Sequence, residues 1–303
     1  MANGTIERVT IVGVGTQGAQ IAFRCALYGK QVRIYDLSQE AQRTAARKID
    51  GWLTRYGEEG RPIPGGPAAF LDRITYVGRL AEGVADADLV IEVVPERLEL
   101  KQKVWSEVDR LAPEHTYLTS NSSSLKSSDM GANLTQGRKE KTFNINFMTP
   151  VEDDLVEVMW NACTTQQTRE VALTFLYDLK LVPIVTKKEI KGFSHNRVWR
   201  AIKKETLKLW EQDYCDYEDM DRAFMLEFGT PYGPFGLMDI VGLDVIRDIE
   251  LSYYSESGDP SDQPPAKLLA LIDGGKMGVK TGEGFYRYPH PAYESADWLN
   301  KRG

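Results

Sequence analysis

Cysteine and histidine are scarce: Cys25, Cys163 and Cys215, and His115, His195 and His290, are all that the 303 residues contain. The cysteines are odd in number and too far apart for a CxxC pair, which argues against a disulfide framework and for thiols in a reducing compartment. So few histidines and thiols also argue against a zinc or other metal site. No apolar run reaches the roughly 20 residues of a membrane span. The opening MANGTIERVTIVG runs almost directly into an apolar strand, without the charged and long apolar regions of a secretory leader. A basic block is missing too. Lys and Arg number 37 against 44 Asp and Glu, a net charge of −7 that repels nucleic-acid backbones and anionic membrane surfaces. These absences predict a cytoplasmic protein with a small-molecule substrate, no metal, no nucleic-acid partner and no membrane.

What is present is ordinary globular material, 42% apolar and 27% charged, long enough for two domains with proper cores. Arg8–Gly13 and Gln31–Asp36 are short β-rich runs, each followed by a helical stretch. Gln39 to about Glu59 predicts a long helix carrying Arg43, Arg47, Lys48 and Arg55, stopped by the Pro- and Gly-rich loop Arg61–Pro67. Further strands are expected at Ala87–Val94, His115–Ser120, Lys141–Met148, Leu155–Trp160 and Leu181–Thr186, with a helix over Leu98–Leu111. That βαβ order predicts a mostly parallel sheet covered by helices. After Lys188 the strand signals stop and a helical stripe begins, carrying Val198, Ala201, Ile202 and Leu209. The expected architecture is therefore α/β, a Rossmann-type doubly wound sheet over residues 1–189 followed by an all-α domain over 190–303.

Gly13-Val-Gly15-Thr-Gln-Gly18 stands between a strand and a helix, and Asp36 ends the next strand eighteen residues after Gly18. In this setting Gly13 permits the tight turn, and Gly15 lets backbone approach a pyrophosphate. Gly18 permits close helix–strand packing, with the phosphates over a helix N-terminus. A carboxylate at Asp36 accepts hydrogen bonds from a ribose hydroxyl and repels a 2′-phosphate, which favours NAD over NADP. The plain alternative is a glycine turn with Asp36 as a solvated strand end. Arg33 alternates to the face opposite Ile34 and only slightly weakens the preference.

Five further motifs follow in order: DADLVIEVVPERLELK (Asp86–Lys101), SNSSSL (Ser120–Leu125), GFSHNR (Gly192–Arg197), PYGPFGLMDIVGLD (Pro231–Asp244) and KTGEGFYRY (Lys280–Tyr288). With the fingerprint they cover nearly the whole chain, and their sequence resembles the 3-hydroxyacyl-CoA dehydrogenase family. GAQIAF and SNSSSL resemble its non-CoA branch near diketoreductase, gulonate dehydrogenase and carnitine dehydrogenase. The resemblance implies that Glu96, Lys101 and Asn121 contact the nicotinamide half of NAD, and that Ser123 hydrogen-bonds the substrate oxygen. It also implies a homodimer formed through the C-terminal domain. The plain local alternatives are a solvated pair at a helix start for Glu96 and Lys101, and a helix cap for Ser122, Ser123 and Ser124.

The family's chemistry needs a general base for the hydroxyl proton, supplied by a histidine that a glutamate orients and an asparagine touches. Glu157 in LVEV matches the glutamate and Asn196 the asparagine. The histidine of the family's HFxNP is replaced, because the run here is Asn146-Phe-Met-Thr-Pro150. An amide has no usable proton affinity near neutral pH, although it can donate to a carbonyl. The segment from Asn146 to Glu157 is also one residue shorter than the family pattern. Three explanations stand open: a histidine replaced to trap a complex, a natural enzyme passing its proton through Ser123, water or another group, or a binder with little turnover. His195 adjoins Asn196, but neighbours on a helix diverge by about a quarter turn, so it reads as structural or surface. His115 and His290 read as incidental. The expected function is an NAD-dependent oxidoreductase interconverting a 3-hydroxy and a 3-keto acid or its CoA thioester. The alternative is a dinucleotide-binding protein with impaired catalysis.

Overall fold

The structure, a computed structural model, describes residues 5–148, 151 and 153–300. The chain forms two compact units, residues 1–196 and 197–303.

The first unit holds eight strands: β1 (Arg8–Val12), β2 (Gln31–Tyr35), β3 (Ile74–Val77), β4 (Leu89–Glu92), β5 (Tyr117–Ser120), β6 (Thr142–Phe147), β7 (Leu155–Trp160) and β8 (Val182–Thr186). They form one sheet in the order β3-β2-β1-β4-β5-β6-β7-β8. Every neighbouring pair is parallel except β6 with β7. The helices of this unit are α1 (Thr16–Leu27), α2 (Gln39–Glu58), α3 (Gly66–Leu71), α4 (Leu80–Val84), α5 (Leu98–Leu111), α6 (Ser127–Met130), α7 (Gln136–Lys139) and α8 (Gln166–Asp178).

The pleat explains why the sheet is covered on both sides. Along β1 and β4, Val9, Ile11, Leu89 and Ile91 join Phe23 of α1, Ile49 of α2 and Phe175 of α8 in one core. Val12 and Val90, pointing the other way, join Trp105 and Val108 of α5 and Met130 of α6 in a second. The chain builds outward from β1 to β3 and then returns to place β4 on β1's other side. That makes the carboxyl ends of β1 and β4 the switch point where doubly wound sheets take their ligands. The expected strands and long helices form, and β3 is an additional edge strand whose two central residues are exposed.

The alternation in β6 has an unexpected outcome. Phe143, Ile145 and Phe147 face the first core, but the polar set Thr142, Asn144 and Asn146 on the other face is buried as well. Buried polar groups must find partners, so this face is where a hydrogen-bonded site gets built.

The division between units falls inside α9 (Ser194–Glu211). The second unit continues with α10 (Tyr217–Phe228), α11 (Pro234–Val241), α12 (Leu243–Ser257) and α13 (Ala266–Asp273), joined by short 3₁₀ turns and by isolated antiparallel bridges of Glu283 with Gly278 and Arg287. Its core gathers Leu207, Phe235, Met238, Ile246, Leu268 and Phe285. Two fully buried aspartates tie its turns together. Asp221 accepts from the N–H of Phe235 and Gly236 at 2.8 Å each and from the Tyr286 hydroxyl at 3.0 Å. Asp239 accepts from the N–H of Phe285 and Tyr286, at 2.9 and 2.8 Å, and from the Tyr288 hydroxyl at 3.1 Å. A Cβ on Gly284 would lie 2.0 Å from an Asp239 carboxylate oxygen, so the glycine in KTGEGFYRY is required by packing. Among the described residues, no helix is long and apolar enough to cross a membrane, and no group of three or more His, Cys, Asp or Glu is arranged for a metal.

Candidate active site

The glycine turn sits at the switch point, and each glycine has its own reason. Gly13 has φ +97°, and a Cβ there would meet the Val93 carbonyl at 2.7 Å, just past β4. A Cβ on Gly18 would lie 2.1 Å from the Gly13 carbonyl oxygen, so α1 packs on its own turn only with glycine there. Gly15 differs, since a Cβ would meet nothing within 4 Å. Its smallness answers no need of this chain and leaves room for a group approaching the backbone. Asp36 stands beside the turn, with one carboxylate oxygen accepting from Val14 N–H at 2.9 Å and the other from Ser38 N–H at 2.8 Å. Each oxygen keeps a lone pair for a ribose hydroxyl. Arg33 is ion-paired with Asp86, so its charge is already engaged. This turn fits a dinucleotide: the pyrophosphate at Gly15 and the α1 N-terminus, the ribose at Asp36.

At the end of β4 a second cluster forms. Lys101 of α5 is buried, donating to Glu92 at 2.8 Å and to the Val94 carbonyl at 3.0 Å, with Glu96 at 3.3 Å. The reading of Lys101 as a solvated partner is thereby excluded. Glu96 is half-exposed and accepts from the hydroxyls of Ser122 and Ser124. Burial raises the Glu96 pKa, but those hydroxyls and Lys101 outweigh it and leave the group below the usual carboxylate range. Ser122 also accepts from Leu125 N–H at 2.8 Å, which gives the serine run its turn. Ser123 alone of the three is exposed and makes no hydrogen bond among the described residues. Ser122 and Ser124 thus hold the loop, and Ser123 is left to face outward.

Asn146 and Glu157 are directly opposed across the antiparallel β6–β7 pair, with Asn146 Nδ2 donating to Glu157 Oε2 at 3.4 Å. Glu157 is fully buried, and its other oxygen accepts from His195 N–H at 2.8 Å and from the Ser194 hydroxyl at 3.2 Å. Gly192 and Phe193, with φ of +81° and +52°, make the turn that brings these donors in. Left-handed backbone at a buried phenylalanine is costly and persists only where the surroundings impose it. The carboxylate so placed at the start of α9 also benefits from the positive end of that helix. His195 therefore contributes its backbone, while its side chain is exposed. Asn196, one residue further, is half-buried and makes no hydrogen bond to Asn146 among the described residues.

The peptide after Asn146 is clamped from two sides. Asn121 Oδ1 accepts from Phe147 N–H at 2.9 Å, and Gln17 donates to the carbonyls of Phe147 and Met148 at 2.7 and 3.0 Å. Asn121 thus serves the β6 end as well as standing at the end of β5. Gln17, Glu92 and Asn144 escape a reading by motif. Asn144 Oδ1 accepts from Ser127 N–H at 2.7 Å, and its amide donates to the Leu125 carbonyl at 3.0 Å, which holds the far end of the serine loop. A lone acid in LVIEVV and two asparagines alternating with apolar residues in TFNINF were the available signals.

Residues 8–190 match the family model described as 3-hydroxyacyl-CoA dehydrogenase, NAD binding domain, and residues 192–288 match the one described as 3-hydroxyacyl-CoA dehydrogenase, C-terminal domain. The chain is 33% identical over 290 residues to the mitochondrial hydroxyacyl-coenzyme A dehydrogenase of Homo sapiens, covering 93% of this chain and 91% of that protein. Among solved structures it resembles a diketoreductase that performs dual catalysis of dicarbonyl compounds, with a TM-score of 0.84 and 34% identity over 94% of this chain and 99% of that one. It also resembles the (S)-3-hydroxybutyryl-CoA dehydrogenase of Ralstonia eutropha, with a TM-score of 0.85 and 28% identity over 94% and 100%. The protein belongs to the 3-hydroxyacyl-CoA dehydrogenase family and is an NAD-dependent dehydrogenase of that type.

Proposed function

We propose that this protein interconverts a 3-hydroxy and a 3-keto acid derivative. The observation that carries this reading is the Asn146–Glu157 cross-strand pair. Bound NAD(H) supplies or accepts the hydride. Glu96, backed by Lys101, and Asn121 face the nicotinamide half, while Gly13, Gly15, Gly18 and Asp36 hold the adenosine half. Ser123 and Asn146 bind the substrate oxygen. One Asn146 N–H is turned to Glu157, and the second donates to a keto oxygen as negative charge grows on it. Asn196 contacts the substrate beside them. The substrate oxygen must gain or lose a proton in either direction, and an amide can be neither the acid nor the base. Here the proton passes between the substrate oxygen and water, with Ser123 as a relay that is reprotonated from water as it donates.

The substrate is proposed to need no CoA. Identity does not separate the branches, being 34% to the diketoreductase and 33% to the human CoA enzyme. The arginines of α2 and of the loop after it lean against CoA. Arg43 and Arg47 pair with Glu40, and Arg55 and Arg61 pair with Glu59. NADH oxidation with a free 3-keto acid, a 1,3-dicarbonyl compound and acetoacetyl-CoA tests this. Selective use of the thioester, or a preference for NADPH, would overturn it.

A homodimer through residues 190–303 fits the exposed Val245 and Ile249, one turn apart on α12, with Ile240 and Val241 at the end of α11. Sedimentation velocity measures this directly. The three free cysteines suit the reducing cytoplasm, which fractionation of the source cells would check.

A further inference from the structure

Lys48 stands apart from the other basic residues of α2. Arg43, Arg47 and Arg55, and Arg61 in the following loop, each lie against a carboxylate. Lys48 has no carboxylate partner among the described residues and instead reaches across to α1, where its ammonium donates to the Thr16 hydroxyl at 2.8 Å. Thr16 is the first residue of α1, directly after Gly15, and both are exposed. That helix end has no side-chain cap and no acidic residue in its first turn.

A cation at the positive end of a twelve-residue helix, without a counter-ion, is electrostatically unfavourable. Most chains place an acid or a cap at such a position. Here the glycine turn, the uncapped helix and the unneutralised ammonium all leave the same demand for negative charge. The backbone part of that demand follows from the fingerprint, whereas the lysine comes from a different helix and has no place in the motif.

We propose that Lys48 is a phosphate-binding residue of the cofactor site, giving the pyrophosphate of NAD(H) a side-chain cation in addition to the backbone donors. The inference rests on the turn being the dinucleotide site. A nucleotide phosphate from CoA offers the same chemistry, so the test separates the two.

NADH and ADP-ribose are titrated against the parent, Lys48→Gln, Lys48→Arg and Arg47→Gln, with folding checked by thermal melting. Arg47→Gln removes an equal charge from the same helix, but one already paired with Glu40. Lys48→Gln is expected to weaken NADH and ADP-ribose alike, by about fivefold to thirtyfold, the scale of a charge-assisted hydrogen bond reduced for solvent exposure. Its binding should also lose part of its salt dependence. Lys48→Arg should retain most of the affinity, and Arg47→Gln should stay within about twofold. Unchanged NADH affinity in Lys48→Gln overturns the proposal, as does an equal loss in Arg47→Gln, which would mark a general field effect. Unchanged NADH affinity with weakened acetoacetyl-CoA would reassign the lysine to CoA. Failure of the parent itself to bind NADH would instead overturn the cofactor reading of the turn.

Discussion

Both units bury carboxylates, and they hold them with different shares of backbone and side-chain donors. In the helical unit Asp221 and Asp239 each accept from two backbone N–H groups and a tyrosine hydroxyl. The backbone donors cannot be exchanged by mutation of a neighbour, and the aspartates act as fixed rivets between α10, α11 and the Phe285–Tyr288 turn. In the α/β unit Glu92 and Glu157 are equally buried, and each accepts from one backbone N–H, of Val94 and of His195. Their other partners are side chains, Lys101 for Glu92 and Asn146 with Ser194 for Glu157. Glu92 keeps one oxygen without a hydrogen-bond partner among the described residues. A carboxylate opposed by a side chain can be given a new partner in one substitution. The Asn146–Glu157 pair occupies that changeable kind of position.

Changing that pair is expected to have the largest effect. Asn146→His places an imidazole opposite Glu157 and should raise alcohol oxidation by about two to four orders of magnitude, the scale of a positioned general base. The rate should rise with pH through a pKa near the ordinary histidine value of about 6.5, because only the neutral ring accepts a proton. Glu157 is already aimed at position 146. A variant that binds NADH and folds like the parent but gains no oxidation would show that the proton path lies elsewhere.

The other kind of carboxylate should answer in stability. Asp239→Ala leaves two buried backbone N–H groups and the Tyr288 hydroxyl without their acceptor. The expected cost is about 3–5 kcal/mol, read by urea denaturation. A loss below about 1 kcal/mol would show that the turn finds other acceptors and that Asp239 is no rivet.

The same contrast explains what the sequence disclosed. The glycine turn, Asp36 and the alternating helices and strands were legible because each is a local pattern with a local cause. Glu157 and Asn146 were legible by family order, but their direct opposition depends on the β6–β7 register. Lys101 was singled out by family order alone, because nothing in LELKQK reveals that Glu92, nine residues earlier, waits under it. Gln17 and Asn144 were missed for a related reason. Their partners, Phe147 and Met148 for one and Leu125 and Ser127 for the other, come from separate segments. The roles of Asp221 and Asp239 were likewise hidden: Asp221 lies outside the motifs, and Asp239, although it ends PYGPFGLMD, gives no sign there that Gly284 of KTGEGFYRY makes room for it.

The smallest expected effect concerns how well the rivets tolerate their own charge. At Asp221 burial, and secondarily the charge of Asp239, raises the pKa, while the two N–H groups and the Tyr286 hydroxyl lower it. Burial wins, and the group is pushed up to about 6. An unfolded aspartate ionises near 3.9. Between those values the folded chain holds a proton that the unfolded chain has released. Asp221 therefore contributes stability that is full below about pH 4 and is lost as pH rises through about 6. Asp221→Asn carries no such titration, although it lacks one acceptor oxygen and is less stable throughout. The stability advantage of the parent over this variant, measured by urea unfolding, should accordingly shrink by about 2–3 kcal/mol from pH 4 to pH 7. Comparing the two proteins cancels the titration of the other carboxylates, which the parent alone would not allow. An advantage that grows across this range would mean that the three hydrogen bonds outweigh burial. Asp221 would then be stabilised as an anion by its donors, as a carboxylate at a helix N-terminus often is.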